Sequence, residues 1–122
     1  MNNELLIIED DVALSEMLAM HFEDAGFSVT RAHTGQAGLQ RLPQSPVDVV
    51  LLDQQLPDGL GRDLIAPLLA ADPDLPIVMM TGQHDLELAI AAIQEGAADF
   101  VHKPVKIDEL QQTVERLLEQ RR

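Results

Sequence analysis

Five short apolar runs, Leu5 to Ile8, Ser28 to Ala32, Val47 to Asp53, Ile77 to Met80 and Asp99 to Val101, alternate along the chain with five helix-like stretches. That alternation is the pattern of a parallel sheet covered by helices on both faces. Val47, Val49, Val50, Leu51 and Leu52 form a nearly unbroken β-favouring block, as a central strand buried on both sides requires. Helical spacing joins Leu14, Met17, Leu18, Phe22 and Ala25, then Leu64, Ile65, Leu68 and Leu69, then Leu86, Ile90 and Ile93, and finally Ile107, Leu110, Val114, Leu117 and Leu118. In the fourth helix Leu88, Ala91 and Ala92 fall off the core stripe and form an apolar strip suited to a dimer or partner face. Gly26 and Gly96 sit where the first and fourth helices should stop, and Asp11, Thr34, Asp85 and Asp108 stand where N-caps belong. Without an internal repeat, low-complexity tract or linker, residues 1–122 read as one domain.

Composition narrows the function. The 122 residues include no Cys, which excludes a disulfide scaffold, a thiolate metal site and a cysteine nucleophile. Eight basic residues against 21 acidic ones give a formal net charge of −13, and Phe22, Phe27 and Phe100 are the three aromatics. Such a chain has neither the basic patch nor the stacking platform for direct nucleic-acid binding. Met1-Asn2-Asn3-Glu4 lacks the basic start of a signal peptide, and no run approaches the ~20 apolar residues of a membrane span. The expected compartment is therefore cytoplasmic, with no membrane contact.

In open α/β sheets, ligands bind beyond the carboxyl ends of the strands. Glu9, Asp10 and Asp11 follow the first run, Asp53 ends the third, Thr81 and Gly82 follow the fourth, and His102, Lys103 and Pro104 follow the fifth. Carboxylates ~4 Å apart repel by about 4 kcal/mol per pair at an effective dielectric of ~20, so Glu9, Asp10 and Asp53 share a pocket only with a cation among them. One or two carboxylates, a backbone carbonyl and waters are the usual ligands of Mg2+. Lys103 adds positive charge for a phosphoryl oxygen and Thr81 a hydroxyl donor, a set suited to phosphoryl transfer onto a carboxylate. Each residue also has a plainer reading: Asp10 or Asp11 as a helix cap, Asp53 as a turn cap, Thr81 as an N-cap, Lys103 as a solvated lysine, and Phe100 as core filler. Lys103 is nonetheless the only basic residue after Arg62 near this acidic edge. His21, His33, His84 and His102 lack metal-ligand spacing and read as ordinary, His84 being the nearest to an exception because it lies just past Thr81. Met79 and Met80 read as strand core.

Leu5-Leu6-Ile7-Ile8-Glu9-Asp10-Asp11, Leu51-Leu52-Asp53-Gln54-Gln55-Leu56-Pro57-Asp58-Gly59, Met79-Met80-Thr81-Gly82 and Gly96-Ala97-Ala98-Asp99-Phe100-Val101-His102-Lys103-Pro104 together resemble the receiver domain of bacterial two-component response regulators. The resemblance spans essentially the whole chain, and four segments in order are far more specific than any one. It implies a five-stranded parallel sheet, flavodoxin-like and doubly wound in the order 2-1-3-4-5, with five helices. It implies Asp53 as phospho-acceptor, with Glu9, Asp10, Asp53 and the Gln55 backbone carbonyl holding Mg2+. Thr81 is implied as the switch hydroxyl, Lys103 as the phosphoryl-binding lysine, Phe100 as the switch aromatic, and the peptide before Pro104 as cis. Gln55 and Gln83, two positions beyond the acceptor and two beyond the hydroxyl, are implied to tune dephosphorylation. Two residues depart from the commoner pattern. Glu9 replaces Asp and carries its carboxylate one methylene further out, and Phe100 replaces Tyr, so partner contact there has to be apolar.

The expected function is a signalling switch that catalyses only its own phosphorylation and dephosphorylation. A sensor histidine kinase or small phosphodonor supplies the phosphoryl group, and the surface of helix four, strand five and helix five carries the response to an output domain, a partner protein or a homodimer. The stretch from Thr81 to Asp85 and on to Phe100 is most similar to receivers of sigma-54-dependent transcription activators, so transcription regulation is the expected output and a stand-alone receiver the alternative. A phosphatase of the haloacid dehalogenase type wants a second Asp where this chain has Gln55, and a nucleotide-binding module wants a Gly-rich turn where it has Glu9-Asp10-Asp11. Residues 103–122 hold five of the eight basic residues against four acids, so the acidic excess lies away from that end.

Overall fold

A computed structural model of the chain describes residues 3–82 and 85–121. The order is β1 (Glu4–Ile8), α1 (Val12–Asp24), β2 (Ser28–Ala32), α2 (Gly35–Arg41), β3 (Val49–Asp53), α3 (Ile65–Ala71), β4 (Ile77–Thr81), α4 (Leu86–Gln94), β5 (Asp99–His102) and α5 (Ile107–Arg121). Between β3 and α3 lie a small antiparallel hairpin, Gln55–Leu56 with Gly59–Leu60, and a 3-10 turn, Gly61–Leu64. The five main strands are all parallel in the order β2-β1-β3-β4-β5, the doubly wound arrangement expected.

Strand parity divides the core in two, because successive side chains point to opposite faces of a sheet. Leu5, Ile7, Val49, Leu51, Val78 and Met80 pack with α1 and α5, whereas Leu6, Ile8, Val50, Leu52, Ile77 and Met79 pack against the α2, α3 and α4 side. Every residue of β3 is buried, which is why its sequence shows no alternation. The same parity decides the site: Glu9 and Asp53 continue the face of Ile7 and Leu51, and Lys103 that of Val101.

Several expectations shift. Val47 is buried but precedes β3, β4 extends to Thr81, and β5 extends to His102. On α1, Met17 and Ala25 are exposed, and the inward face is Ser15, Leu18, Ala19 and Phe22; the polar Ser15 hid this stripe, but its hydroxyl accepts from Arg31 Nε at 3.0 Å. The reversal on α4 is larger. Leu86, Ile90 and Ile93 are 53%, 46% and 39% exposed, while Ala89 and Ala92 are fully buried. This helix is apolar nearly all round, so periodicity cannot choose a face, and the small residues win because they let the helix approach the sheet closely.

Asp11 and Thr34 cap as expected, accepting from the backbone N–H of Leu14 and Ala37. Asp85 precedes α4 but makes no side-chain cap bond. Asp108 lies inside α5, whose first backbone bond runs from Leu110 N–H to the Lys106 carbonyl; with Glu109 it instead places negative charge at the positive end of the helix dipole. Gly96, with φ +119°, takes the chain out of α4 through the left-handed region as anticipated.

Candidate functional site

Glu9, Asp10 and Asp53 each bring a carboxylate oxygen to one spot at the carboxyl edge of β1 and β3, all within 4.8 Å of one another. Glu9 is fully buried and Asp53 is 5% exposed, whereas Asp10 faces solvent. Lys103, just past β5, reaches across β4 to place Nζ 2.7 Å from Glu9 Oε1 and 3.1 Å from Asp53 Oδ1. The other Glu9 oxygen accepts from the Asp11 N–H at 3.1 Å, so the capping turn of α1 also fixes this carboxylate. The Gln55 N–H lies 3.4 Å from Asp53 Oδ1, and Gly82 and Asp85 complete the cleft wall opposite.

The electrostatics follow from this packing. Burial, then the hydrogen bond to the Asp53 carboxyl, pushes the pKa of Glu9 above the ordinary carboxylate value despite the opposing pull of Lys103 and the Asp11 amide. For Lys103, burial is the largest single influence and works downward, but its bonds to Glu9 and Asp53 together outweigh it and leave the ammonium pKa raised. Three carboxylates facing one ammonium leave negative charge in excess. Their donors are hard oxygens, and one of them is open to solvent, a set that fits a hard divalent cation such as Mg2+.

Thr81 ends β4 fully buried, but its hydroxyl faces β5: Oγ1 lies 3.4 Å from the Val101 carbonyl and 3.3 Å from His102 Nδ1. Phe100 is half-buried against the α3 and α4 side of the core. The Lys103–Pro104 peptide is cis. The structure thus gathers Glu9, Asp10, Asp53 and Lys103, places Gln55 beside them with an exposed side chain, and sets Thr81 and Phe100 on the opposite strand parity. Gln83 and His84 lie outside the described residues.

Several contributors were not singled out from sequence. Gly61 is indispensable, since a Cβ there would lie 2.0 Å from the Asp53 carbonyl oxygen; its N–H donates to the Gln54 carbonyl at 2.7 Å. Asp58 accepts from the Gly35 and Gln36 N–H groups at 2.8 and 2.9 Å, tying the hairpin to the start of α2, and those two bonds lower its pKa. His33 Nδ1 sits 2.9 Å from the Glu9 carbonyl, and His102 contacts Thr81. Gln54, next to Asp53, is 2% exposed, and its amide finds no hydrogen-bond partner among the described residues. No spacing rule reveals these, although the parity of His102 with Phe100 was available.

A doubly wound parallel sheet with an acidic cluster and a lysine at its carboxyl edge is an α/β domain whose charged groups stand where such sheets bind ligands. The chain belongs to the response regulator receiver domain family, whose model matches residues 5–115. As a receiver domain it is a phosphorylation-activated switch of two-component signalling. It is 36% identical over 118 residues to the C4-dicarboxylate transport transcriptional regulatory protein DctD of Rhizobium meliloti (strain 1021), a match covering 97% of this chain and 26% of DctD. To the transcriptional regulatory protein GlrR of Escherichia coli (strain K12) it is 34% identical, over 95% of this chain and 26% of GlrR. The solved receiver domain of NtrX from Brucella abortus superimposes with a TM-score of 0.90 at 32% identity, covering 94% of this chain and 98% of that one. The chain therefore spans about a quarter of the length of the first curated relatives it matches.

Proposed function

We propose that Asp53 is the phospho-acceptor and that the domain relays its phosphorylation to a transcriptional output. The observation that carries this reading is the Lys103 ammonium bridging Glu9 and Asp53 at the strand edge, with Asp10 completing the acidic cluster. A carboxylate oxygen of Asp53 attacks the phosphorus of a phosphohistidine on a sensor histidine kinase, or of a small phosphodonor. The new P–O bond forms as the P–N bond breaks, and the imidazole leaves with the electron pair and takes up a proton. Glu9, Asp10, Asp53 and the Gln55 carbonyl would hold Mg2+, which when bound neutralises charge on the transferred group. Lys103 is placed to bind a phosphoryl oxygen, because it already lies between two of the carboxylates.

Thr81 and Phe100 are the responding residues in this reading. The added charge draws the Thr81 hydroxyl from β5 toward the acceptor, and Phe100 turns into the space released. The changed surface is that of α4, β5 and α5, where the exposed Leu86, Ile90 and Ile93 suit an apolar partner, an output domain or a second copy. Gln55 and Gln83 are the positions assigned to tune the lifetime of the phosphoryl group. Transcriptional output draws on the matched transcriptional regulatory proteins, and the sigma-54-dependent type on the resemblance of the stretch from Thr81 to Phe100. No helix among the described residues is long and apolar enough to cross a membrane. In this reading the regulator is cytoplasmic and catalyses only its own phosphorylation and dephosphorylation. Incubation with acetyl phosphate and Mg2+ is expected to add one phosphoryl group by mass spectrometry, and Asp53→Asn is expected to remove the labelling. Full labelling of that variant would overturn the assignment.

A further inference from the structure

We propose that His102 is a positioning residue of the switch, a latch that holds both Thr81 and Phe100 in the unphosphorylated arrangement. The inference rests on the assignment of those two residues as the responding pair.

Strand register places the three together. Thr81 and His102 are paired across β4 and β5, and Phe100 precedes His102 by two residues, so all three side chains share the sheet face opposite Lys103 and Asp53. His102 Nδ1 lies 3.3 Å from Thr81 Oγ1 and 3.2 Å from the Gly82 carbonyl, and its ring meets that of Phe100 edge-on, with centroids 5.3 Å apart at 72°.

One assignment of protons accounts for all three of these polar contacts, including that of Thr81 with Val101. With hydrogen on Nδ1, the ring donates to the Gly82 carbonyl and to Thr81 Oγ1, while the Thr81 hydroxyl gives its own proton to the Val101 carbonyl at 3.4 Å. The only donor on the Thr81 side chain is then committed to β5 and unavailable to a phosphoryl oxygen on Asp53. Rotation of Thr81 toward the acceptor breaks the bond to His102, and rotation of Phe100 inward breaks the edge contact. One exposed side chain therefore opposes both movements.

The test is the concentration of beryllofluoride, a phosphoryl mimic, that half-converts the domain in Mg2+, read from backbone amide NMR shifts. His102→Ala is expected to lower it by about 2- to 10-fold, the weight of one neutral hydrogen bond. His102→Asn, whose amide N–H can stand where Nδ1–H was, is expected to fall between His102→Ala and the unsubstituted domain. In a Thr81→Ala background the effect of His102→Ala is expected to shrink, because one of the two held groups is gone. An unchanged or raised half-conversion concentration for His102→Ala, or an equal effect with and without Thr81, overturns the latch. The two readings fail differently: conversion insensitive to His102 removes the latch alone, whereas no conversion of the unsubstituted domain removes the Asp53 assignment and the latch with it.

Discussion

Glu9 shows how much one residue gains from its neighbours. From sequence it is one of three consecutive acids; in the fold it is a fully buried carboxyl wedged between Asp53, Lys103 and the Asp11 amide. Its pKa is raised above the ordinary 4.5, chiefly by burial. A carboxyl that holds its proton more tightly folded than unfolded contributes stability below the unfolded pKa and loses it as pH rises through the folded one. In metal-free protein, the urea midpoint of the unsubstituted domain relative to Glu9→Gln is therefore expected to be greatest at and below pH 4.5 and to fall as pH rises toward 7. A difference constant over that range would contradict the burial argument. Glu9 was legible as a carboxyl-edge residue because it follows an apolar run, but its burial was not. Gly61 and Gln54 were missed for the converse reason, since close approach and burial beside Asp53 leave no mark on residue spacing.

Among the elements, α4 is where pattern and packing part. Seven of its nine residues are apolar, so two different stripes satisfy helical spacing, and the larger side chains drew the sequence reading to the wrong one. Ala89 and Ala92 face the sheet because a Leu or Ile there would hold the helix off it. Ala92→Leu is expected to destabilise the domain by about 1–3 kcal/mol through overpacking. Ile90→Gln, on the exposed face, should stay within about 0.5 kcal/mol. Urea denaturation of the two variants checks this, and the opposite ranking would restore the original stripe. The same exposure makes Leu86, Ile90 and Ile93 the apolar part of the proposed output surface.

For the whole molecule, the net charge of −13 is both a general repulsion and a local device. Three of its acids converge on one cleft with a single lysine. Filling that cleft with Mg2+ relieves repulsion in the folded state only, so millimolar Mg2+ is expected to raise the melting temperature through preferential binding. The rise should be much smaller in Asp53→Asn, whose cluster has lost a charge, and equal rises in both proteins would show that Mg2+ merely screens the surface.

Residue pattern alone was enough for the five main strands and five helices, the strand carrying Asp53 and the residues delivered to the carboxyl edge, because strand burial and chain order dictate these locally; the short hairpin and 3-10 turn after β3 left no such pattern. Sheet order came from resemblance to a family, not from periodicity. The tertiary structure alone decided which face of α4 is buried, that Lys103 bridges Glu9 and Asp53, and that His102 contacts Thr81 and Phe100. These depend on which strands become neighbours, in what register, and how closely each helix can approach the sheet.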